Sequence, residues 1–188
     1  MSSVMPGMSH YSVSLAGGVG FCNALRRTLL SDIEEEAPHK ITVRENTSYQ
    51  TDEFIAHRIG MIPFRRVGNG NEMTLCVEGR DAVTGDFKGP AFVPCSRAIV
   101  MRMQPGQKLD VTVHFDRQLG SVHARYVKSA AVRMLNCPNH KDRHRIAFET
   151  IDGTDGKQKM IAALDRLGER VDDAILQLAK DEVVESMC

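Results

Sequence analysis

Tryptophan is missing from this chain, and only 5% of its 188 residues are aromatic. A core built here must rest on aliphatic side chains and on the 10 methionines, whose flexible thioethers suit partner-facing surfaces as well as interiors. So few aromatics leave little on which bases stack, which argues against a free-standing single-strand binder. Net charge is also missing: 24 Lys and Arg balance 24 Asp and Glu, whereas autonomous nucleic-acid binding ordinarily brings a basic excess. No apolar run approaches the ~20 residues that span a bilayer, and no leader pattern opens the chain, so no membrane is expected as a partner. No Cys-x-x-Cys occurs among the five cysteines, Cys22, Cys76, Cys95, Cys137 and Cys188. Their odd number and wide spacing point to reduced thiols in an intracellular compartment, nucleus or cytoplasm.

What is present is a soluble composition, 42% hydrophobic and 26% charged, patterned into elements. Tyr11, Val13 and Leu15 alternate with serines as a half-buried strand does. From Phe21 the period changes: Phe21, Leu25, Leu29 and Ile33 recur at i+4, predicting an amphipathic helix that runs to the acids Glu34, Glu35 and Glu36 and stops at Pro38. Ile41 and Val43 read as a strand. Thr51 is a good N-cap for a second helix, with Asp52 and Glu53 in its first turn and Gly60 at its C′ position.

Residues 67–90 read as glycine-rich loops with short strands. Ile99, Met101 and Met103 are expected to pair with Leu109, Val111, Val113 and Phe115 across a turn at Pro105-Gly106-Gln107, a hairpin with one wet face. Ala131–Leu135 and Ile146–Phe148 suggest further strands. The longest helix is expected from about Lys157 to Lys180, with Leu164, Leu167, Val171, Ala174 and Leu178 stepping by three and four, and Met160, Ile161 and Ile175 widening the stripe.

Two segments carry a resemblance. Phe21-Cys22-Asn23-Ala24-Leu25-Arg26-Arg27-Thr28-Leu29-Leu30-Ser31 is similar to the first helix of the RNA polymerase α subunit family. That family takes in the bacterial α subunit, its larger archaeal counterpart and the third-largest subunits of the eukaryotic enzymes. Asp52-Glu53-Phe54-Ile55-Ala56-His57-Arg58-Ile59-Gly60-Met61-Ile62-Pro63-Phe64 resembles the archaeal and eukaryotic form. More weakly, Ile99–Asp110 resembles a strand and turn of the family's inserted domain, and Leu119–Val127 resembles a Gly-x-x-His-Ala-Lys-Trp loop, with Arg125 and Tyr126 in place of Lys and Trp.

The resemblance implies an α+β fold. A discontinuous dimerisation domain would occupy residues 8–64 and 145–182, with a β-rich domain inserted at 65–144 and flexible tails at 1–7 and 183–188. It implies a non-catalytic assembly platform of a DNA-directed RNA polymerase, touching DNA only through the complex. A smaller α-like polymerase subunit of similar fold, as in the archaeal and eukaryotic enzymes, or a second α copy would pair with it through Phe21, Leu25, Leu29, Leu164, Leu167, Val171, Ala174 and Leu178. The second-largest and largest subunits would dock on Asn23, Arg26, Arg27, His57 and Arg58. No acidic Asp-x-Asp-Gly-Asp run is present to hold the Mg²⁺ that the complex would use, and no cofactor is expected in this chain. Its length fits a pared-down member of viral, archaeal or divergent eukaryotic source.

Two further readings start from the residues alone. Glu53 and His57 are spaced for contact on a helix, but nothing nearby supplies a nucleophile or a metal, so a surface pair is expected. Cys137-x-x-His140-x-x-x-His144 has metal-like spacing, and Cys76 or Cys95 would complete four ligands. The set lacks the paired cysteines of a zinc site, so the expectation is a basic loop, Lys141 to Arg145, facing partner or solvent. The alternatives to the polymerase reading are a nucleic-acid-binding module using that loop and a small zinc protein.

Overall fold

The computed structural model describes residues 9–137 and 140–185, with side chains in all of these except 140–142 and 180–185. The chain runs β1 (Ser9–Ala16), α1 (Val19–Ser31), β2 (Glu34–Asn46), α2 (Asp52–Gly60), β3 (Phe64–Arg66), β4 (Glu72–Glu78) and β5 (Ala82–Val83). It continues through β6 (Phe92–Pro94), β7 (Ile99–Met101), β8 (Lys108–Leu119), β9 (Ser129–Cys137), β10 (His140–Thr150) and α3 (Gly156–Glu185). This is a mixed α+β architecture built on antiparallel sheets. The expected tail 1–7 lies outside the described residues, and residues 183–185 continue α3 instead of leaving it.

Two apolar cores form. In one, the sheet β1-β10-β9 carries α1 and α3 on a face. Cys22, Leu25, Leu29, Ile146, Phe148, Met160 and Ala163 are buried there, with Tyr11, Val13, Leu15 and Leu167 packed beside them. The first strand and the start of the last helix thus meet in this core. The start of α3 sits directly on β1: a Cβ on Gly156 would lie 2.3 Å from the Tyr11 Cβ. Ala131, at φ 51°, marks the bulge where β9 slips against β10 between Ala147 and Glu149.

The second core lies on the sheet β2-β8-β4. It gathers Ile55, Ile59, Phe64, Leu75, Leu109, Val111, Val113 and Phe115, among others, with Ile41 and Val43 at its edge. Phe92 stacks on Phe115 with centroids 3.8 Å apart, and Phe64 meets the same ring edge-on at 5.1 Å. The aromatics, few as they are, concentrate here.

Several expectations are corrected. The helix α1 ends at Ser31, and the three glutamates belong to β2, which pairs with β8 from Glu34↔Leu119 to Asn46↔Leu109. Pro38 does not stop a helix; it lies within β2, and because proline has no N–H to give, the ladder slips just after it, between Pro38 and Lys40. Ile55, Ile59 and Phe64 lie in the second core, with Ile41, Val43 and Ile62 packed against it. The 99–115 hairpin does not form: β7 pairs with β5, while β8 lies between β2 and β4. Its wet face is half closed, with Thr112 buried under the Arg44 guanidinium. Gly60 is the last residue of α2, with Met61 capping it.

Candidate functional site

Helix α1 buries Cys22, Leu25, Thr28 and Leu29, which turns Asn23, Arg26 and Arg27 to the outer arc. Arg26 Nε donates to Asn23 Oδ1 at 3.1 Å, a one-turn pair that orders both side chains. Arg27 is exposed on the rim of a groove of about 620 Å³ between α1 and α3, lined by Ala24, Val171, Ala174, Ile175 and Leu178. Arg170 on α3 pairs with Asp32 just past α1, tying the two helices across the groove. Thr28 lies at its base, and among the described residues its hydroxyl has no partner.

The eight residues expected at a dimer face divide. Leu25 and Leu29 are 0% and 3% exposed, sealed in the chain's own core, and Leu167 packs at its margin. Phe21, Leu164, Val171, Ala174 and Leu178 face outward. Exposure climbs along α3, from 36% at Leu164 to 52% at Val171 and 65% at Leu178, and Ile175 and Leu176 share it at 58% and 59%. Leu176 is an exposed apolar residue the helical stripe did not include.

The second motif forms α2. Thr51 Oγ1 accepts the Phe54 N–H at 3.4 Å as N-cap, and His57 and Arg58 stand in the last turn, where the helix dipole favours cations. Arg58 already has work within the chain: Nε donates to the Val100 carbonyl at 2.9 Å and Nη2 to the Ile99 carbonyl at 2.8 Å. It fastens β7 to α2, while His57 is left exposed. At the other side of the helix end, the Arg125 guanidinium occupies the space beside Gly60. Its Nη1 donates to the Pro38 carbonyl at 2.9 Å and its Nε to His123 Nδ1 at 3.2 Å. Desolvation, then Arg125 and His57, holds the His123 imidazole below its ordinary range. The Leu119–Val127 segment and the second motif, far apart in sequence, thus meet at Gly60.

The acid–base reading finds no assembly. Asp52 Oδ1 accepts from Asn46 Nδ2 at 2.7 Å, and Glu53 and His57 are exposed without a bond between them among the described contacts. Of the candidate metal ligands, His144 is 5% exposed, with Nδ1 3.2 Å from Asn136 Oδ1. Cys137 stands opposite His140 in the strand register, but the His140 side chain lies outside the described residues. Cys76 is exposed on β4, and the Cys95 thiol donates to the Asp152 carbonyl at 3.5 Å. Among the described residues no three His, Cys, Asp or Glu side chains gather around one point. No helix among them is long and apolar enough to cross a membrane.

One constellation had no sequence signal. Between the two cores, Lys159 on α3, 3% exposed, pairs with Glu35 of β2 and lies 3.3 Å from Asp152 in the turn after β10. Asp152 also accepts the Thr154 hydroxyl at 2.7 Å. Burial raises the Glu35 carboxyl above its usual range against the pull of Lys159, and burial lowers the neighbouring Lys128 ammonium. These four charges come from four separate segments, so no spacing rule links them.

No family model matches the chain. Among curated proteins it is similar to the DNA-directed RNA polymerase subunit Rpo3 of Methanocaldococcus jannaschii, 30% identical over 125 residues, which is 63% of this chain and 65% of that protein. It is similar to Rpo3 of Pyrococcus horikoshii, 32% identical over 124 residues, 57% of this chain and 48% of that one. The DNA-directed RNA polymerases I and III subunit rpac1 of Dictyostelium discoideum is 28% identical over 145 residues, 55% of this chain and 42% of that one. The chain therefore spans between 42% and 65% of the length of these relatives.

Proposed function

The chain belongs to the α-like subunit family of DNA-directed RNA polymerases, and from that membership we propose that it is a non-catalytic assembly subunit of such an enzyme. Its partner would be a smaller subunit of like fold, seated on the outward stripe of α3 and in the groove beside α1. The domain built on β1-β10-β9 would pair, and the β-rich domain would sit beside it. The second-largest and largest subunits would dock on Asn23, Arg26 and Arg27 of α1 and around His57 of α2. Arg58 would act there by holding β7 in place. The chain would bring no metal or cofactor of its own, would meet DNA only within the complex, and would work in a reducing, intracellular compartment.

The observation that carries this reading is the exposed apolar end of α3, where Val171, Ile175, Leu176 and Leu178 are each more than half exposed. An apolar side chain of this size gains about 1.5–3 kcal/mol when fully buried, and the described residues provide nothing to cover these four. A matching helix from a partner would. The test is co-purification of the tagged full chain from its native source, wild type beside Ile175→Glu/Leu178→Glu and beside Arg27→Ala. The expected result is that wild type brings down a small α-like subunit and both large subunits. The double variant should lose the small subunit, and Arg27→Ala should keep it while recovering less of the large ones. Absence of the two large polymerase subunits from the wild-type material would defeat the proposal.

A further inference from the structure

A cavity of about 490 Å³ opens between the two cores, lined by β2, β3, the end of β8 and the turn after β10. Its walls are charged, and each of the four acids lies against a cation, Glu35 and Asp152 sharing one. Glu34 lies 3.5 Å from Arg117, Glu35 pairs with Lys159, Glu36 is held at 2.7 Å by Arg66, and Asp152 lies 3.3 Å from Lys159. Two cations of the lining, Lys128 and Arg65, have neither a carboxylate within ion-pair distance nor a side-chain hydrogen bond among the described residues, and the Lys128 Nζ is not among the fully enclosed unpartnered atoms. Arg65 is exposed at the mouth. Lys128 is 3% exposed.

That burial makes Lys128 the informative residue. A buried ammonium is costly to the fold unless it is paired or hydrogen-bonded. The two carboxylates nearest in charge, Asp152 and Glu35, are already taken by Lys159. A group brought from outside that accepts hydrogen bonds and carries negative charge would find both cations in the lining of one cavity. Arginine's planar fork matches phosphate and carboxylate alike, and the cavity is roomy enough for either.

We propose that this cleft is an oxyanion site, in which Lys128 and Arg65 hold a phosphate or carboxylate group supplied by a small molecule from solution. The site is built by this chain alone and shares no lining residue with the groove between α1 and α3.

The test is calorimetric titration of the full-length chain with inorganic phosphate and, separately, with acetate, at constant ionic strength set by chloride. Wild type is compared with Arg65→Ala, which alters an exposed side chain, and with Lys128→Met, whose fold is checked by circular dichroism. Saturable binding of at least one anion is expected, weakened roughly tenfold in Arg65→Ala, the loss of about one charge-assisted hydrogen bond, and abolished in Lys128→Met. Tighter binding of phosphate assigns the site to phosphate-bearing molecules, and tighter binding of acetate assigns it to carboxylates. Failure of both anions to bind above the chloride control overturns the proposal. So does binding that Arg65→Ala leaves unchanged, whether or not Lys128→Met folds.

Discussion

Replacing Lys159 by methionine removes the cation at the centre of the junction between the cores and leaves a side chain of similar length. In the intact protein this ammonium, 3% exposed, satisfies two carboxylates, Glu35 and Asp152, of which Asp152 is itself 6% exposed. Without it, the buried Asp152 has no cation within ion-pair distance among the described residues, and the part-buried Glu35 beside it loses its partner. Lys128 is too far from either to form an ion pair. Removing one partner of a buried pair costs about 3–5 kcal/mol, a large share of the 5–15 kcal/mol that holds a typical domain together. Urea unfolding followed by far-ultraviolet circular dichroism should therefore show the midpoint falling with an unchanged slope.

Glu35→Gln in the same background supplies the control. If the pair interacts as its geometry indicates, the double variant should be more stable than the sum of the single losses predicts, by about 1–3 kcal/mol. The pH dependence gives an independent reading. Burial holds the Glu35 carboxyl above its ordinary range, so the folded protein keeps that proton to higher pH than the unfolded chain does. Stability attributable to this group then falls as pH rises from the ordinary glutamate value through the raised one. Glu35→Gln should remove that slope. Lys159→Met, by deleting a charge that lowers the value, should move the window upward. A Lys159→Met loss below about 1 kcal/mol, with no coupling to Glu35, would refute the reasoning.

Two further outcomes are expected. Gly156→Ala should destabilise by about 1–3 kcal/mol through overlap with Tyr11, whereas Gly60→Ala, with 3.4 Å to the Arg125 guanidinium, should gain about 0.5–1 kcal/mol of helix propensity; thermal melting that ranks them the other way would contradict the packing. His123 is held below its ordinary value by burial, Arg125 and His57, so its contribution is complete above the ordinary histidine range and is lost as pH falls through that range toward the depressed value. Denaturation at a series of pH values should show this slope in wild type and its loss in His123→Gln, and an unchanged slope in the variant would remove His123 as its source.

Local pattern carried much of this fold. The alternation at Tyr11, Val13 and Leu15 gave β1, the Thr51 cap began α2 where the hydroxyl binds the Phe54 N–H, and the i+4 series placed Leu25 and Leu29 on a buried face. Strand pairing was less legible, because β8 has alternating apolar residues that suit a neighbouring hairpin partner as well as distant ones. Its actual neighbours, β2 and β4, are chosen by the whole second core and not by the turn at Gly106. The buried charges were illegible for the same reason. Glu35 reads as one of three helix-ending acids, and Lys159 as a polar residue on a helix, until the fold brings them together.

The stripe on α3 is the case where pattern was right and still insufficient. Met160, Ala163 and Leu167 follow the same three-and-four spacing as Val171, Ala174 and Leu178, yet the first set packs inward and the second faces out. Length explains the division. At 1.5 Å per residue, the 30-residue helix reaches about 45 Å. The sheet beneath it has strands of 8 to 11 residues, which at about 3.3 Å each extend some 27–36 Å. Even laid along the strands, α3 outruns its sheet by roughly 9–18 Å, or about two to three turns. Helix α1, with 13 residues and about 20 Å, is too short to cover the difference. The apolar spacing continues past the point where the described residues have anything to set against it; the proposed partner would cover these turns, and the Ile175→Glu/Leu178→Glu variant is expected to remove what it binds without touching the core that folds the rest.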